Sequence, residues 1–306
     1  IAAEDIGNPF AGSTIKYSLS GTNCGNWSTG AVVAVLSDLA TELRFVNSGL
    51  LKGLVWLHAP EGPLSLQRGA SGATWNGATW TAPVDLLSPQ PIAGFDAVGS
   101  GGSATPPALL AWADDTGMVR SITWNGTSTT GPHTIATTGR TALDLDVNAA
   151  GEFHCVWNGT NGGLSLSKFN GVSSWTTLGT PVTGVLAGEL QTTALNQSGT
   201  NIWLLAWIDG TDSKYQGYAF ATATGATLKA ATQTTFADTG RYSRLNVQPQ
   251  ADNRARIIVR HTGTNDVTNL EEYIATPAGI APWLLSANRT GNTLQLNLTA
   301  NPTQTY

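Results

Sequence analysis

The sequence is poor in the residues on which several classes of protein depend. It has one Met, two Cys and four His among 306 residues, and only 11% of its residues are charged. So few Glu, Lys and Arg argue against long solvated helices, because such helices need charged residues on their outer faces. No apolar run reaches 18 residues, so neither a transmembrane helix nor direct membrane insertion is predicted.

The net charge of the chain and the motifs that it lacks exclude further classes of protein. The net charge is −5 and Lys and Arg form no cluster, whereas a nucleic-acid partner requires a basic patch. The His residues have no metal-ligand spacing, and there is no phosphate-binding loop or Ser-His-Asp arrangement, so we predict no metal and no cofactor. The chain starts without Met and is rich in Thr and Ser, which indicates a processed extracellular or cell-surface protein in which N-x-S/T sequons permit glycosylation.

Glycine and tryptophan are present in unusual number, with 35 Gly and 11 Trp. The stretch "VWNGTNGGLSLSKFNGVSSW" (156–175) contains a strand ending at Trp157, a turn, a strand ending at Phe169 and another turn. The alternating segment "LDLDV" (143–147) precedes it, and a further strand follows it. Four short strands therefore form one unit.

The same order recurs, and the end of its second strand gives a landmark roughly every 50 residues. The landmarks are Trp56, Trp112, Trp157, Trp207 and Arg260. Four-stranded units at such a period are typical of a β-propeller. The chain is therefore predicted to be all-β, a single six-bladed propeller over residues 1–306. Its full blades are predicted at residues 43–91, 92–140, 141–185, 186–241 and 242–291.

The two ends of the chain are predicted to share the sixth blade, formed by residues 1–42 and 292–306. "NTLQLNLTA" near the C-terminus matches a first strand, and the N-terminal segment matches a third and a fourth. Such sharing closes the ring and removes exposed strand edges. The second strand of this blade lacks sequence, so either it is stunted or another polypeptide completes it. In the latter case the contact residues are Ile1, Asp5, Asn8, Pro302 and Tyr306.

The loops after the second strands are the predicted ligand-binding loops, because in a propeller they surround the mouth of the channel. The candidate residues are His58, Asp114, Asp115, Asp209, Asp212 and His261. Several of these Asp residues could bind calcium, but Asp, Asn and Gly are also what tight turns demand. No loop has D-x-D-x-D-G spacing, so we favour turn chemistry.

Two other sets of residues could serve carbohydrate chemistry. The landmark Trp residues could stack on sugars, but an anchor that occurs in each repeat suits packing between blades, so we predict that they are core. We interpret the Trp residues near the third-to-fourth strand turns in the same way, namely Trp27, Trp75, Trp80, Trp124 and Trp175. Asp144 and Asp146 alternate along one strand and point to the same side, facing either the channel or a blade interface. Two such carboxylates could serve a glycosidase. We favour polar residues lining a wet channel and predict no catalytic residue.

The two cysteines, Cys24 and Cys155, fall in units on opposite sides of the predicted ring. This separation exceeds the reach of a disulfide, so none is predicted within the chain. We expect Cys155 to be buried and reduced, and Cys24 to be either free or linked to another chain.

Residues 147–182, "VNAAGEFHCVWNGTNGGLSLSKFNGVSSWTTLGTPV", resemble the repeats of secreted bacterial β-propellers. Those proteins include lectins, other binding modules, surface or appendage proteins and sialidase-like enzymes. The Asp of the sialidase S-x-D-x-G-x-x-W box is absent from "FNGVSSW", "SGATWNGATW" and "SGTNCGNW". The resemblance therefore implies the fold, and it carries over no sialidase site residue.

The predicted function is a non-enzymatic extracellular binding or assembly module, a cell-surface or appendage component such as a pilus-like filament or sheath. Its partner would be another protein or further copies of itself. The alternative is a carbohydrate-binding propeller lectin with a glycan ligand, and a glycosidase of sialidase-like fold ranks last.

Overall fold

The chain folds into antiparallel β-sheets in a computed structural model. The structure describes residues 2–5, 14–17, 30–59, 67–102, 105–197, 199–211, 215–235, 241–250, 254–262, 268–277, 284–290 and 293–299. No helix in these ranges is long and apolar enough to cross a membrane. The chain forms two compact units, one of Ile1–Thr116 with Arg120–His133 and one of Gly117–Val119 with Thr134–Tyr306.

Three sheets belong to the first unit, apart from the ends of two strands of the third sheet. The first sheet has the order β1-β2-β3, with β1 Ala2–Asp5, β2 Thr14–Tyr17 and β3 Ala31–Val35. The second contains β4 Leu39–Asn47, β5 Lys52–Ala59, β6 Gln67–Thr74 and β7 Val84–Pro91, in chain order. The third contains β8 Gly94–Gly99, β9 Ala108–Ala113, β10 Val119–Trp124 and β11 Thr129–Ala136.

Three sheets form the second unit, and in each the strands follow chain order. The fourth sheet contains β12 Gly139–Val147, β13 Phe153–Gly159, β14 Gly163–Phe169 and β15 Trp175–Thr183. The fifth contains β16 Ala187–Gln197, β17 Thr200–Asp209, β18 Tyr215–Thr222 and β19 Thr227–Thr235. The sixth contains β20 Arg241–Pro249, β21 Ala255–Thr262, β22 Thr268–Ala275, β23 Leu284–Thr290 and β24 Thr293–Thr299.

The predicted all-β class and the four-strand unit are confirmed, and the described strands form six sheets, four of which have four strands. Around Trp157 the strands follow the predicted order, and their register pairs Leu143 with Trp157 and Trp157 with Ser165. The closing blade is not confirmed. Instead of joining the N-terminal strands, β24 pairs with β23 as the fifth strand of the sixth sheet.

The landmark tryptophans are core, as predicted. Trp56, Trp112, Trp157 and Trp207 are at most 8% exposed. Trp207 lies across Gly217 of the neighbouring strand, where an added Cβ would be only 2.3 Å from the indole. The glycine therefore leaves the room in which the indole ring packs.

Cys155 is buried, as predicted, and it forms no disulfide with any residue that the structure describes. Cys24 lies outside the described residues. Asn158, which heads an N-G-T sequon, is also buried, and its amide donates to the carbonyls of Gly163 and Val185. The side chain of this asparagine therefore stabilises the interior through hydrogen bonds and is not accessible to a glycan in the folded chain.

Candidate functional site

His58, the first predicted ligand residue, is held in place by a hydrogen bond and by packing. Its Nδ1 lies 2.9 Å from Asp38 Oδ2, and Ser37 donates to Asp38 Oδ1 at 2.7 Å. Burial alone would raise the pKa of Asp38, but the hydrogen bonds of Ser37 and His58 and the His58 charge outweigh it and hold that pKa below its usual value. The imidazole also lies against Gly69, where an added Cβ would be 2.5 Å from Nε2. These contacts give His58 a packing role, and its ligand role stays a prediction.

Asp114 and Asp209, two of the predicted ligand residues, form turns. Asp114 accepts hydrogen bonds from the backbone N–H and the hydroxyl of Thr116, and Asp209 accepts one from the backbone N–H of Thr211. These contacts stay within single hairpins and are Asx turns. Asp115 is exposed. In the described part of the chain no group of three or more His, Cys, Asp or Glu could hold a metal ion.

The remaining candidates cannot be placed at a site. Asp212, Ile1, Asn8, Pro302 and Tyr306 lie outside the described residues. Asp5 belongs to β1 and His261 to β21, and their side chains are outside the description as well. The ligand and contact roles of these residues therefore stay predictions.

Asp144 and Asp146 lie at an interface between adjacent sheets of the second unit. Asp144 Oδ2 accepts the backbone N–H of Thr192 at 2.7 Å, and Asp146 Oδ2 accepts that of Ala194 at 2.8 Å. Glu189 of β16 binds the N–H of the following first strand, β20, in the same way, at 2.8 Å. The sequence favours a wet channel for Asp144 and Asp146, but the structure shows them at the blade interface, where charge-assisted hydrogen bonds join the sheets.

A turn motif recurs between the third and fourth strands of three sheets. Its copies are Trp75-Asn76-Gly77, Trp124-Asn125-Gly126 and Phe169-Asn170-Gly171. In each copy the Asn Oδ1 accepts the N–H groups two and three residues ahead, and the glycine has positive φ, between 82° and 101°. The same local chemistry therefore places an aromatic ring at the same point of each hairpin.

The three aromatic rings differ in their surroundings. Trp124 is fully buried, because Gly53 and Gly72 of the second sheet leave space for its ring, and added Cβ atoms there would lie 2.8 and 3.0 Å from it. Phe169 is also buried. Trp75 is the partly exposed member of the three. The second sheet therefore presents at its surface a ring that the other copies use for packing.

Trp75 belongs to an aromatic cluster with Trp80 and Tyr17. The ring centroids of Trp75 and Trp80 are 5.6 Å apart, and Tyr17 of the first sheet meets them edge-on at 5.4 and 5.9 Å. Tyr17 and Trp80 also pack against a buried core that includes Ile15 and Trp56. Edge-to-face contacts of this kind are favourable, so they hold the Trp75 ring in a fixed orientation.

Trp75 also lines a surface cavity of about 260 Å³. The lining residues are Ser48, Gly49, Leu50, Leu51, Lys52, Trp75, Asn76 and Gly77. They come from the β4–β5 and β6–β7 turns, at the end of the sheet opposite His58. We define the aromatic cluster and this cavity together as the Trp75 site. The sequence predicts Trp75 to be a packing residue, so this site was not expected; its signal in the sequence is the recurring aromatic-Asn-Gly turn.

Comparisons with known proteins provide information about the fold of this chain. No protein-family model matches the chain, and no curated protein matches it. Among solved structures, a variant of Aleuria aurantia lectin in complex with Fucα1-6GlcNAc aligns with a TM-score of 0.55 and 12% identity over 92% of this chain and 89% of that one. A protein of unknown function from Dyadobacter fermentans aligns with a TM-score of 0.54 and 11% identity, covering 84% and 93% of the two chains.

An enzyme is also among the similar structures. Trypanosoma rangeli sialidase in complex with sialic acid aligns with a TM-score of 0.50 and 11% identity, and the alignment covers 88% of this chain and 49% of the sialidase. At such low identities the likeness to propeller lectins and to a sialidase shows a shared fold alone. Function has to be argued from the site.

Proposed function

We propose that the chain is a carbohydrate-binding protein with the fold of the propeller lectins, and that it binds saccharides at the Trp75 site. The observation that carries this proposal is the exposure of Trp75 beside a cavity, in a turn whose other copies bury their aromatic ring. The lectin from Aleuria aurantia, solved with a fucosylated disaccharide, supports the same class of ligand. This proposal replaces assembly as the leading function.

The chemistry of the Trp75 site suits a sugar ring. A flat indole face can cover the apolar C–H face of a pyranose, and an aromatic ring supplies a large contact area at low conformational cost. Trp80 and Tyr17 already hold the indole, so little side-chain entropy remains to be lost on binding. The volume of the cavity suits contact with a ring or two rather than a long chain.

The test is binding of the purified chain to a glycan array, followed by titration of the best saccharide with the wild type and Trp75→Ala. We expect Trp75→Ala to weaken binding about 5- to 150-fold, which corresponds to about 1–3 kcal/mol for a lost stacking ring. Trp175→Ala is the matched control, because Trp175 is a partly exposed Trp of another hairpin that pairs with Phe169. No binding to any saccharide, or equal loss in both variants, contradicts the proposal.

We also propose that the chain is not a glycosidase. The two carboxylates that could serve that chemistry, Asp144 and Asp146, accept backbone N–H groups at 2.7 and 2.8 Å. A general acid or nucleophile needs its oxygen directed at the glycosidic bond. Aryl-glycoside hydrolysis by the wild type that Asp146→Asn abolishes would overturn this proposal. An extracellular location remains a further proposal from composition.

A second candidate function, assembly, is favoured by the edge strand β3. Its sequence AVVAV contains neither Pro nor charge, and Val32 and Val35 are 53% and 75% exposed. The fourth strands of four other sheets carry residues that discourage edge pairing, namely Pro89 and Pro91 in β7, Pro132 in β11, Pro181 in β15 and Lys229 in β19. Among the described strands, β3 pairs with β2 alone.

We propose that β3 pairs antiparallel with β3 of a second copy, because this neutral strand is self-complementary and its exposed valines can cover each other. Light scattering across a concentration series should show a dimer that Val35→Lys removes. Val172→Lys, at a 71% exposed turn position, is the control. A wild type that stays monomeric throughout contradicts this second function.

A further inference from the structure

We propose that the Trp75 site prefers acidic saccharides, with the Lys52 ammonium pairing with a carboxylate or sulfate of the bound sugar. This inference rests on the proposed function, because it concerns the ligand class of the same site. It follows from the position of Lys52 and from the charge of the cavity lining. It also follows from the hydrogen bonds that the neighbouring polar groups make within their own turns.

Lys52 and Trp75 are cross-strand neighbours. The register of β5 and β6 pairs Gly53 with Thr74, so the next opposed pair is Lys52 with Trp75. The Trp75 backbone N–H donates to the Lys52 carbonyl at 2.8 Å, which fixes this pair. Directly opposed residues of an antiparallel pair project to one face, with Cβ atoms about 4.5–5.5 Å apart. The ammonium group therefore reaches the space beside the indole, and both residues line the cavity.

Lys52 supplies the one formal charge among the eight residues that line the cavity. No ion pair of Lys52 with a carboxylate occurs within the ranges that the structure describes. The lining is thus positive in a chain whose net charge is −5. An anionic group on the ligand would supply the counter-charge next to the stacking ring.

The polar side chains beside Lys52 have internal partners. The carbonyl oxygen of the Asn76 side chain accepts the N–H groups of Ala78 and Thr79. Ser48 Oγ accepts the N–H of Leu51 at 2.9 Å. Because these groups hold the two turns in shape, Lys52 is the lining side chain best able to distinguish one saccharide substituent from another.

The experiment uses matched methyl glycosides that differ at carbon 6 alone. The gluco and galacto series are each tested as the neutral alcohol, the uronate and the 6-sulfate. Binding is followed by NMR of 15N-labelled indole groups, with Trp75→Phe to assign the Trp75 signal. At low ionic strength we expect the acidic forms to bind about two- to fivefold more tightly than the neutral form, the range of an exposed ion pair. Added salt should remove the preference.

Variants separate the two proposals. Lys52→Met keeps the aliphatic stem but removes the charge, so it should equalise acidic and neutral ligands, whereas Lys52→Arg should retain the preference. A preference for the uronate or the 6-sulfate supports the inference and identifies the anionic group. Equal affinities in the wild type, or a preference that survives Lys52→Met, overturn the inference while Trp75-dependent binding leaves the lectin proposal standing. Absence of Trp75-dependent binding to any glycan on the array overturns both.

Discussion

Acidification should destabilise the folded chain through His154. This residue lies in β13 and is 2% exposed, with its ring centroid 4.2 Å from that of Trp203. Burial lowers the pKa of His154 from 6.5 to about 4, and the nearby charge of Lys168 acts in the same direction. The hydrogen bond to the Glu152 carbonyl at 3.1 Å and the Glu152 charge oppose the shift and are outweighed.

The direction in which stability changes with pH follows from the number of protons that the folded and unfolded chains bind. Because the folded-state pKa lies below the unfolded value, the unfolded chain binds more protons between pH 6.5 and about pH 4. Stability from the neutral imidazole is complete above this window and is lost as the pH falls through it. Each pH unit inside the window changes the free energy of unfolding by up to about 1.4 kcal/mol, so about 2 kcal/mol is lost between pH 7 and pH 5.

The assay is urea unfolding followed by tryptophan fluorescence at pH 7, 6 and 5. His154→Gln removes the titrating group, so it should lower stability at pH 7 and then lose about 2 kcal/mol less than the wild type on acidification to pH 5. The comparison between the two pH dependences cancels the contributions of the carboxylates. Parallel pH dependences in the wild type and His154→Gln would refute the reasoning.

Two further predictions concern packing and the links between sheets. Gly217→Ala should destabilise the chain by about 1–3 kcal/mol, because its Cβ would lie 2.3 Å from Trp207, whereas Gly102→Ala, with nothing within 4 Å, should have little effect in the same urea unfolding. Asp144→Ala should lower the free energy of unfolding by about 1–3 kcal/mol, because it leaves a buried N–H of β16 unpaired. The exposed Asp115→Ala is its control, and similar losses in Asp144→Ala and Asp115→Ala would contradict this account.

Strand order within sheets could be predicted because its signals are local. Alternating residues and Asn-Gly turns specify hairpins, and the unit around Trp157 has the expected order of strands. The partner of β24 could not be predicted in this way. The period of Thr293–Thr299 marks a strand but not its neighbour, and the short link from β23 allows a hairpin at low entropic cost. Resemblance to a first strand therefore did not determine where β24 pairs.

The position of the Trp75 site depends on contacts that the sequence does not show locally. Trp75 and Trp124 begin the same aromatic-Asn-Gly turn, yet Trp124 is buried because glycines of another sheet leave room for it. Trp75 instead meets Tyr17, which is distant in sequence. In a repeat protein, a side chain buried in most copies has a packing role, and selection for packing does not explain a copy that stays at the surface beside a cavity. The departure of Trp75 from its repeat therefore indicates binding more strongly than its residue type does, and the glycan experiments should target the β4–β5 and β6–β7 turns rather than the loop of His58.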